Sequence, residues 1–168
     1  VVFENIEHFH ARVDDPALDV DETCVMVLKN CGPKGYPGMA EVGNMPLPTK
    51  VLKKGVTYMV RISDARMSGT SYGACILHVS PESWVGGPLA LVQTGDTISV
   101  DIPARKISLD VAEEELARRR VALKPPPARY ERGYGWMFSQ HIAQAGQGCD
   151  FDFLQTDFGG PVSEPSIY

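Results

Sequence analysis

Ser63-Asp64-Ala65-Arg66-Met67-Ser68-Gly69-Thr70-Ser71-Tyr72-Gly73 stands between two apolar runs, Tyr58-Met59-Val60-Arg61-Ile62 and Ala74-Cys75-Ile76-Leu77-His78-Val79. Both runs read as buried strands, and the stretch between them as a loop whose ends they fix. Ser68 is followed by Gly69, so a ligand can approach the backbone closely there. Arg66 places a permanent cation two residues away, suited to a carboxylate or a phosphate. The same composition also makes an ordinary strand-to-strand turn, because Ser, Gly, Asp and Thr all favour turns.

A second loop has a related character. Cys24-Val25-Met26-Val27-Leu28-Lys29 reads as a buried strand and runs into Asn30-Cys31-Gly32-Pro33-Lys34-Gly35-Tyr36-Pro37-Gly38-Met39-Ala40-Glu41. Three glycines and two prolines fix an irregular path. Glu41 is the one carboxylate in it. That carboxylate suits a hard cation such as magnesium. It equally suits the first turn of a following helix, where negative charge is favoured.

Outward from these loops the pattern alternates strands and helices. Val1-Val2-Phe3 reads as a strand, and Asn5 as the cap of a helix in which Ile6 and Phe9 share a face. Residues 45–54 are expected to be helical, ending at Gly55 with Lys53 and Lys54 in the last turn. His78, in strand-like surroundings, is expected to be a hydrogen-bonded core histidine. Thr97–Ile102 and Ile107–Val111 alternate and predict a hairpin at a sheet edge. Residues 112–123 predict a charged helix capped at or near Asp110, with Arg118-Arg119-Arg120 on a solvated face. After Lys124-Pro125-Pro126-Pro127, a helix is expected over 131–145 with Trp136, Phe138 and Ile142 turned inward, stopped by Gly146 and Gly148. Residues 155–168 carry no core pattern and read as an extended C-terminal tail, leaving 1–154 as one domain. Strands interleaved with helices and followed by a hairpin predict a mixed α/β fold.

With 168 residues, 43% of them hydrophobic and 22% charged, the chain can bury a core without disulfides. A net charge of −5 argues against nucleic acid as a partner. No apolar run approaches the roughly 18 residues that span a bilayer, so no membrane partner is expected. The chain opens on Val1-Val2-Phe3-Glu4 without a signal-peptide pattern, and lacking an initiator Met it is expected to be a fragment or a processed chain. Cys24, Cys31, Cys75 and Cys149 make no CxxC pair and match no zinc or iron–sulfur spacing. Reduced thiols and a cytoplasmic location are the expectation. Cys24 and Cys75 should pack as small hydrophobes, and Cys31 should be more accessible. His8, His10, His78 and His141 form no metal-like spacing.

The two loops together carry a resemblance. Gly32-Pro33-Lys34-Gly35-Tyr36-Pro37-Gly38-Met39-Ala40-Glu41-Val42-Gly43-Asn44 resembles a motif of the dihydroxy-acid and sugar-acid dehydratase family. So do Asp64-Ala65-Arg66-Met67-Ser68-Gly69-Thr70, His78-Val79-Ser80-Pro81-Glu82, Gly86-Gly87-Pro88-Leu89-Ala90-Leu91-Val92, and the Asp110–Arg120 segment. They occur in the family's order across about residues 1 to 155. Glu41-Val42-Gly43-Asn44-Met45, Arg66-Met67-Ser68-Gly69-Thr70 and Asp150-Phe151-Asp152-Phe153-Leu154 look closest to the branch acting on aldonic acids such as arabinonate or xylonate.

That resemblance implies a C-terminal domain of the β-barrel-like, swivelling β/β/α type, flanked by helices. It implies a hydro-lyase that turns a 2,3-dihydroxy acid into a 2-keto-3-deoxy acid, using magnesium and an iron–sulfur cluster whose ligands lie in an N-terminal domain outside this chain. It places the alkoxide base on Ser68, a magnesium ligand on Glu41, and substrate contacts on Arg66, Gly69 and Thr70. Ser71 and Tyr72 stand where some relatives have smaller residues. A homo-oligomer with a small sugar-acid substrate is the expected assembly, and the isolated chain is expected to be inactive. The alternatives are the same domain of a branched-chain dihydroxy-acid dehydratase, and a freestanding non-catalytic binding module.

Overall fold

A computed structural model describes residues 1–155. Its centre is a parallel sheet of four short strands in the order β1 (Val2–Phe3), β2 (Met26–Leu28), β3 (Arg61–Ser63) and β4 (Cys75–Ile76). Val27 sits between Val2 and Ile62, and Leu28 between Phe3 and Ser63. Ile62 pairs on its other side with Ile76. Parallel strands need crossovers, and all four carry their C-terminal ends to the same edge of the sheet.

The side chains alternate across the sheet, as strand geometry requires. Phe3, Met26 and Leu28 face a cluster with Ile6 and Phe9 of α1 (Ile6–Arg12) and Val51 of α2 (Thr49–Leu52). Val2, Val27 and Ile62 face the other way, onto Leu89 and Val92, with Ile98 and Leu109 packed behind them. Burial on both faces explains why β2 reads as an unbroken apolar run. Asn5 caps α1, its side-chain oxygen accepting the His8 amide at 2.7 Å. Residues 88–91 form a 3₁₀ turn, and β5 (Ile98–Asp101) pairs antiparallel with β6 (Lys106–Leu109).

The mixed α/β class and the β5–β6 hairpin are as expected. The hairpin differs in its place: it is a separate two-stranded sheet, not an edge of the main one, and among the described residues no pairing joins the two into a barrel. Pro46 and Pro48 shorten the expected helix over 45–54 to α2, which starts directly after Pro48. α3 spans Glu113–Ala122 without a side-chain cap, because its N-cap position falls on Ala112; the Asp110 carboxylate, two residues earlier, accepts the Ser99 hydroxyl. Arg119 is not on a solvated face. Its guanidinium reaches Asp96, Glu115 and the Leu91 carbonyl, fastening α3 to the turn before β5.

α4 spans Gly133–His141, so it ends before the glycines at 146 and 148. Ile142 is buried as expected, whereas Trp136 is 43% exposed. The tail assigned to 155–168 lies, beyond Gln155, outside the described residues. No helix among the described residues is long and apolar enough to cross a membrane.

Candidate functional site

The glycine loop (30–44) leaves the end of β2 and the serine loop (64–73) leaves the end of β3. Because β2 and β3 are parallel neighbours, both loops emerge side by side at one edge of the sheet. They are joined along their length. The Gly43 amide donates to the Arg66 carbonyl at 2.8 Å, and Arg66 Nε donates to the Met39 carbonyl at 2.8 Å. Arg66 Nη1 forms an ion pair with the Glu41 carboxylate, both side chains about half exposed. A Cβ on Gly43 would stand 2.5 Å from the Leu77 side chain and 3.0 Å from the Arg66 carbonyl, so only glycine lets the loops close to this distance.

Ser68 lies half-buried beyond this junction, and its hydroxyl pairs with the Thr70 hydroxyl at 2.9 Å. The Thr70 amide also points at Ser68 Oγ, at 3.3 Å. The amide is the fixed donor to that oxygen, and the hydroxyl pair can be donated from either side. Gly69 and Thr70 are exposed, and a Cβ built on Gly69 meets nothing within 4 Å. Arg66, assigned to substrate binding, is turned back onto the glycine loop by its bonds to Met39 and Glu41. Glu41, Arg66, Ser68, Gly69 and Thr70 therefore lie on two adjoining loops.

Buried polar groups that sequence reading did not single out hold these loops in place. Asp64 is fully buried; it accepts the Cys31 amide at 2.9 Å on one oxygen and the Ser83 amide at 2.9 Å, with the Ser83 hydroxyl, on the other. Ser83 Oγ in turn accepts the Asn30 amide at 2.7 Å. Glu82, also fully buried, accepts the Lys34 amide at 2.9 Å, the Gly35 amide at 2.8 Å and Gln144 Nε2 at 2.8 Å. A Cβ on Gly32 would fall 2.6 Å from the Glu82 carboxylate, which explains that glycine. Burial pushes both carboxyls above their usual range, and the hydrogen bonds to the ionised form offset this in part. Arg61 closes the far ends of both loops, donating to Asn44 and to the Tyr72 carbonyl.

The C-terminal segment clasps the glycine loop from outside. Lys34 Nζ donates to the Gln140 carbonyl at 3.2 Å, Arg129 Nε donates to the Gly35 carbonyl at 3.1 Å, and Cys149 Sγ lies 3.9 Å from Met39 Sδ. Only the Pro81-Glu82 motif hinted at any of this in the sequence. A lone Glu before a turn gives no sign that it is buried.

Two expectations fail here, each through the local path of the chain. Cys31, next to the glycine loop, is wholly buried, and its thiol is pushed up to about 12, first by burial and then by the Asp64 charge. Its place under the loop, not beside it, sets both. His78 is exposed with φ +57°, not a core histidine, because β4 ends at Ile76 and the chain turns out of the sheet.

The donor set fits magnesium only in part. Glu41 offers one exposed hard oxygen ligand beside Ser68's loop, but no group of three His, Cys, Asp or Glu among the described residues could hold a metal ion. Glu41 can thus be one ligand of a site completed from elsewhere. The residues do not fit an iron–sulfur cluster: four separate free cysteines, one of them fully buried as a thiol, supply no ligand set.

Residues 1–149 match the family model described as "Dihydroxy-acid/6-phosphogluconate dehydratase C-terminal". The chain is 56% identical over 99% of its length to the L-arabinonate dehydratase of Rhizobium leguminosarum bv. trifolii (strain WSM2304), covering 29% of that protein. It is 50% identical over its whole length to the 6-deoxy-6-sulfo-D-gluconate dehydratase of Pseudomonas putida, again covering 29%. A dihydroxy-acid dehydratase of Synechococcus sp. (strain JA-3-3Ab) is 45% identical over 76% of the chain, which spans 22% of that relative. The chain therefore spans less than a third of the curated relatives it matches, and it belongs to the dihydroxy-acid/6-phosphogluconate dehydratase family, whose C-terminal part it carries.

Proposed function

We propose that this chain is the C-terminal part of a hydro-lyase that dehydrates a sugar acid to a 2-keto-3-deoxy acid. The observation that carries the reading is the junction of the two loops, where Glu41, Arg66 and the Ser68–Thr70 pair occupy one edge of the sheet. In this reading Ser68 Oγ takes the proton from C2 of the substrate. The electrons of that C–H bond become the C2–C3 double bond as the 3-hydroxyl departs, and the resulting enol tautomerises to the ketone. A serine hydroxyl is a weak base near pH 7, so its ionised form needs stabilisation. The Thr70 amide and hydroxyl are the donors available for it here.

Glu41 would hold magnesium, which when bound supplies positive charge at the substrate's carboxylate end. The Glu41–Arg66 pair opens in that case, freeing the guanidinium for the substrate carboxylate. Gly69 and Thr70 leave the approach to Ser68 clear. The cluster, the remaining metal ligands and the subunit contacts of a cytoplasmic homo-oligomer belong to the rest of the protein. A swivelling, barrel-like domain over 1–154, with the following residues as a tail, completes this reading.

A sugar acid is favoured over a branched-chain dihydroxy acid by the relatives. Identity is 50–56% over 99–100% of the chain for the two sugar-acid dehydratases described, against 45% over 76% for the dihydroxy-acid enzyme. The test is the complete protein, assayed with pentonates and with 2,3-dihydroxyisovalerate, alongside its Ser68→Ala variant. Turnover of a pentonate that Ser68→Ala abolishes supports the reading. Preference for 2,3-dihydroxyisovalerate moves it to the branched-chain branch, and a complete protein without dehydratase activity returns it to a binding module.

A further inference from the structure

We infer that His78 is a further substrate-contacting residue of this site, its imidazole hydrogen-bonding a hydroxyl of the polyhydroxylated acid. The inference rests on the sugar-acid dehydratase reading. β4 lies parallel to β3, so its C-terminal end meets the same sheet edge as the glycine and serine loops. Two residues past β4 the chain is tied to the serine loop: the His78 amide donates to the Ala65 carbonyl at 3.0 Å, and the Val79 amide to the Ser63 carbonyl at 3.2 Å. The preceding Leu77 side chain packs where Gly43 comes closest. His78 is thereby fixed against both loops, its amide bonded to the residue directly before Arg66.

Its conformation is costly. His78 has φ +57°, in the left-handed region that glycine and asparagine adopt more readily. The other described non-glycine residues with positive φ include Asn30, Met39 and Met45, all in or against the same two loops. Strained backbone of this kind gathers at functional sites, where the surrounding structure imposes a position that local preference would not choose. A strained histidine with a structural duty should be buried or bonded through its ring. His78 is exposed, and its imidazole has no hydrogen-bond partner among the described residues. A ring that can donate from one nitrogen and accept at the other suits an alcohol hydroxyl.

The experiment uses the complete protein with His78→Asn and His78→Gly, both of which accept the left-handed backbone, and with Ser68→Ala as a reference. The expected result is an unchanged or higher Tm with kcat/KM for the pentonate lowered about tenfold or more, mainly through KM. Values of kcat/KM within about twofold of the parent would overturn the inference. So would losses of activity matched by a lower Tm in both variants, which mark a structural role. If Ser68→Ala is inactive while the His78 variants behave as the parent, only the His78 assignment falls. If Ser68→Ala retains full turnover, the site reading beneath it fails as well.

Discussion

Ser83→Ala tests the frame that holds the two loops together, with almost no change of shape. The hydroxyl donates to the buried Asp64 carboxylate and accepts the Asn30 amide at 2.7 Å. Removing it takes the Ser83 acceptor from the half-buried Asn30 amide, which costs about 1–3 kcal/mol, and deletes one hydrogen bond to a charged group, about 1.5–3 kcal/mol. The two losses share one atom and do not fully add, so about 3 kcal/mol is expected. For a chain of this size that is a fall in Tm of roughly 6–12 °C. The loss should also depend on pH. Burial already raises the Asp64 carboxyl above its usual value, and the Ser83 hydroxyl pulls it back. Without Ser83 the folded-state value rises further. The variant's folded state then binds more protons than its unfolded state over a wider window above the ordinary carboxylate range. Its stability must fall more steeply than the parent's as pH rises through that window. Thermal unfolding of both proteins from about pH 4 to pH 8 checks this. A Tm change under about 2 °C, or a gap that widens as the pH falls, would refute the proposed role of the Asp64–Ser83–Asn30 chain.

The other outcomes are simpler to read. Ser68→Ala in the complete protein should lower kcat by at least about 10²-fold at unchanged Tm, and near-normal kcat would make Ser68 a turn residue. Glu41→Gln should raise the magnesium concentration needed for half-maximal activity, while the loss of its exposed pair with Arg66 changes stability by no more than about 1 kcal/mol; an unchanged magnesium requirement would remove Glu41 from the metal site. Arg119→Ala should lower Tm more than Arg118→Ala, because Arg119 binds Asp96 and the Leu91 carbonyl whereas Arg118, among the described residues, reaches only Glu115; equal effects in denaturation curves would contradict the fastening of α3 described above. This chain on its own should fold, yet show neither an iron–sulfur chromophore nor dehydratase turnover, since its free cysteines form no ligand set; a stable cluster absorption band would overturn that.

The strands, the capped first helix and the hairpin were legible because their signals are local. β2 and β3 announce themselves as apolar runs bounded by turn residues, Asn5 caps through a residue three positions on, and the hairpin alternates with period two. The two polar loops were legible as well, since glycine and proline mark irregular backbone wherever they fall. The order of the apolar runs also implied which loop follows which strand, whereas the pairing of Glu41 with Arg66 became visible only with β2 and β3 as parallel neighbours.

Other features depended on partners far away in the chain. Glu82 is 47 residues from the Gly35 amide it accepts, and Arg61 reaches 17 residues back to Asn44 and 11 forward to Tyr72. Burial of a charged side chain is stable only when such distant donors converge on it, and no local pattern records that convergence. The same cause misled the expectations for Cys31 and His78, whose neighbours in sequence resemble those of an exposed thiol and a core histidine. Cys31 is covered because Asp64 and the first core cluster close over it, and His78 is exposed because β4 stops short at Ile76. The amino-acid sequence determined the elements and the chemical groups at their ends, since those follow from each residue's own backbone and side-chain preferences; the tertiary structure decided which groups are buried, paired or left open to a substrate, since that is set by what the rest of the chain brings against them.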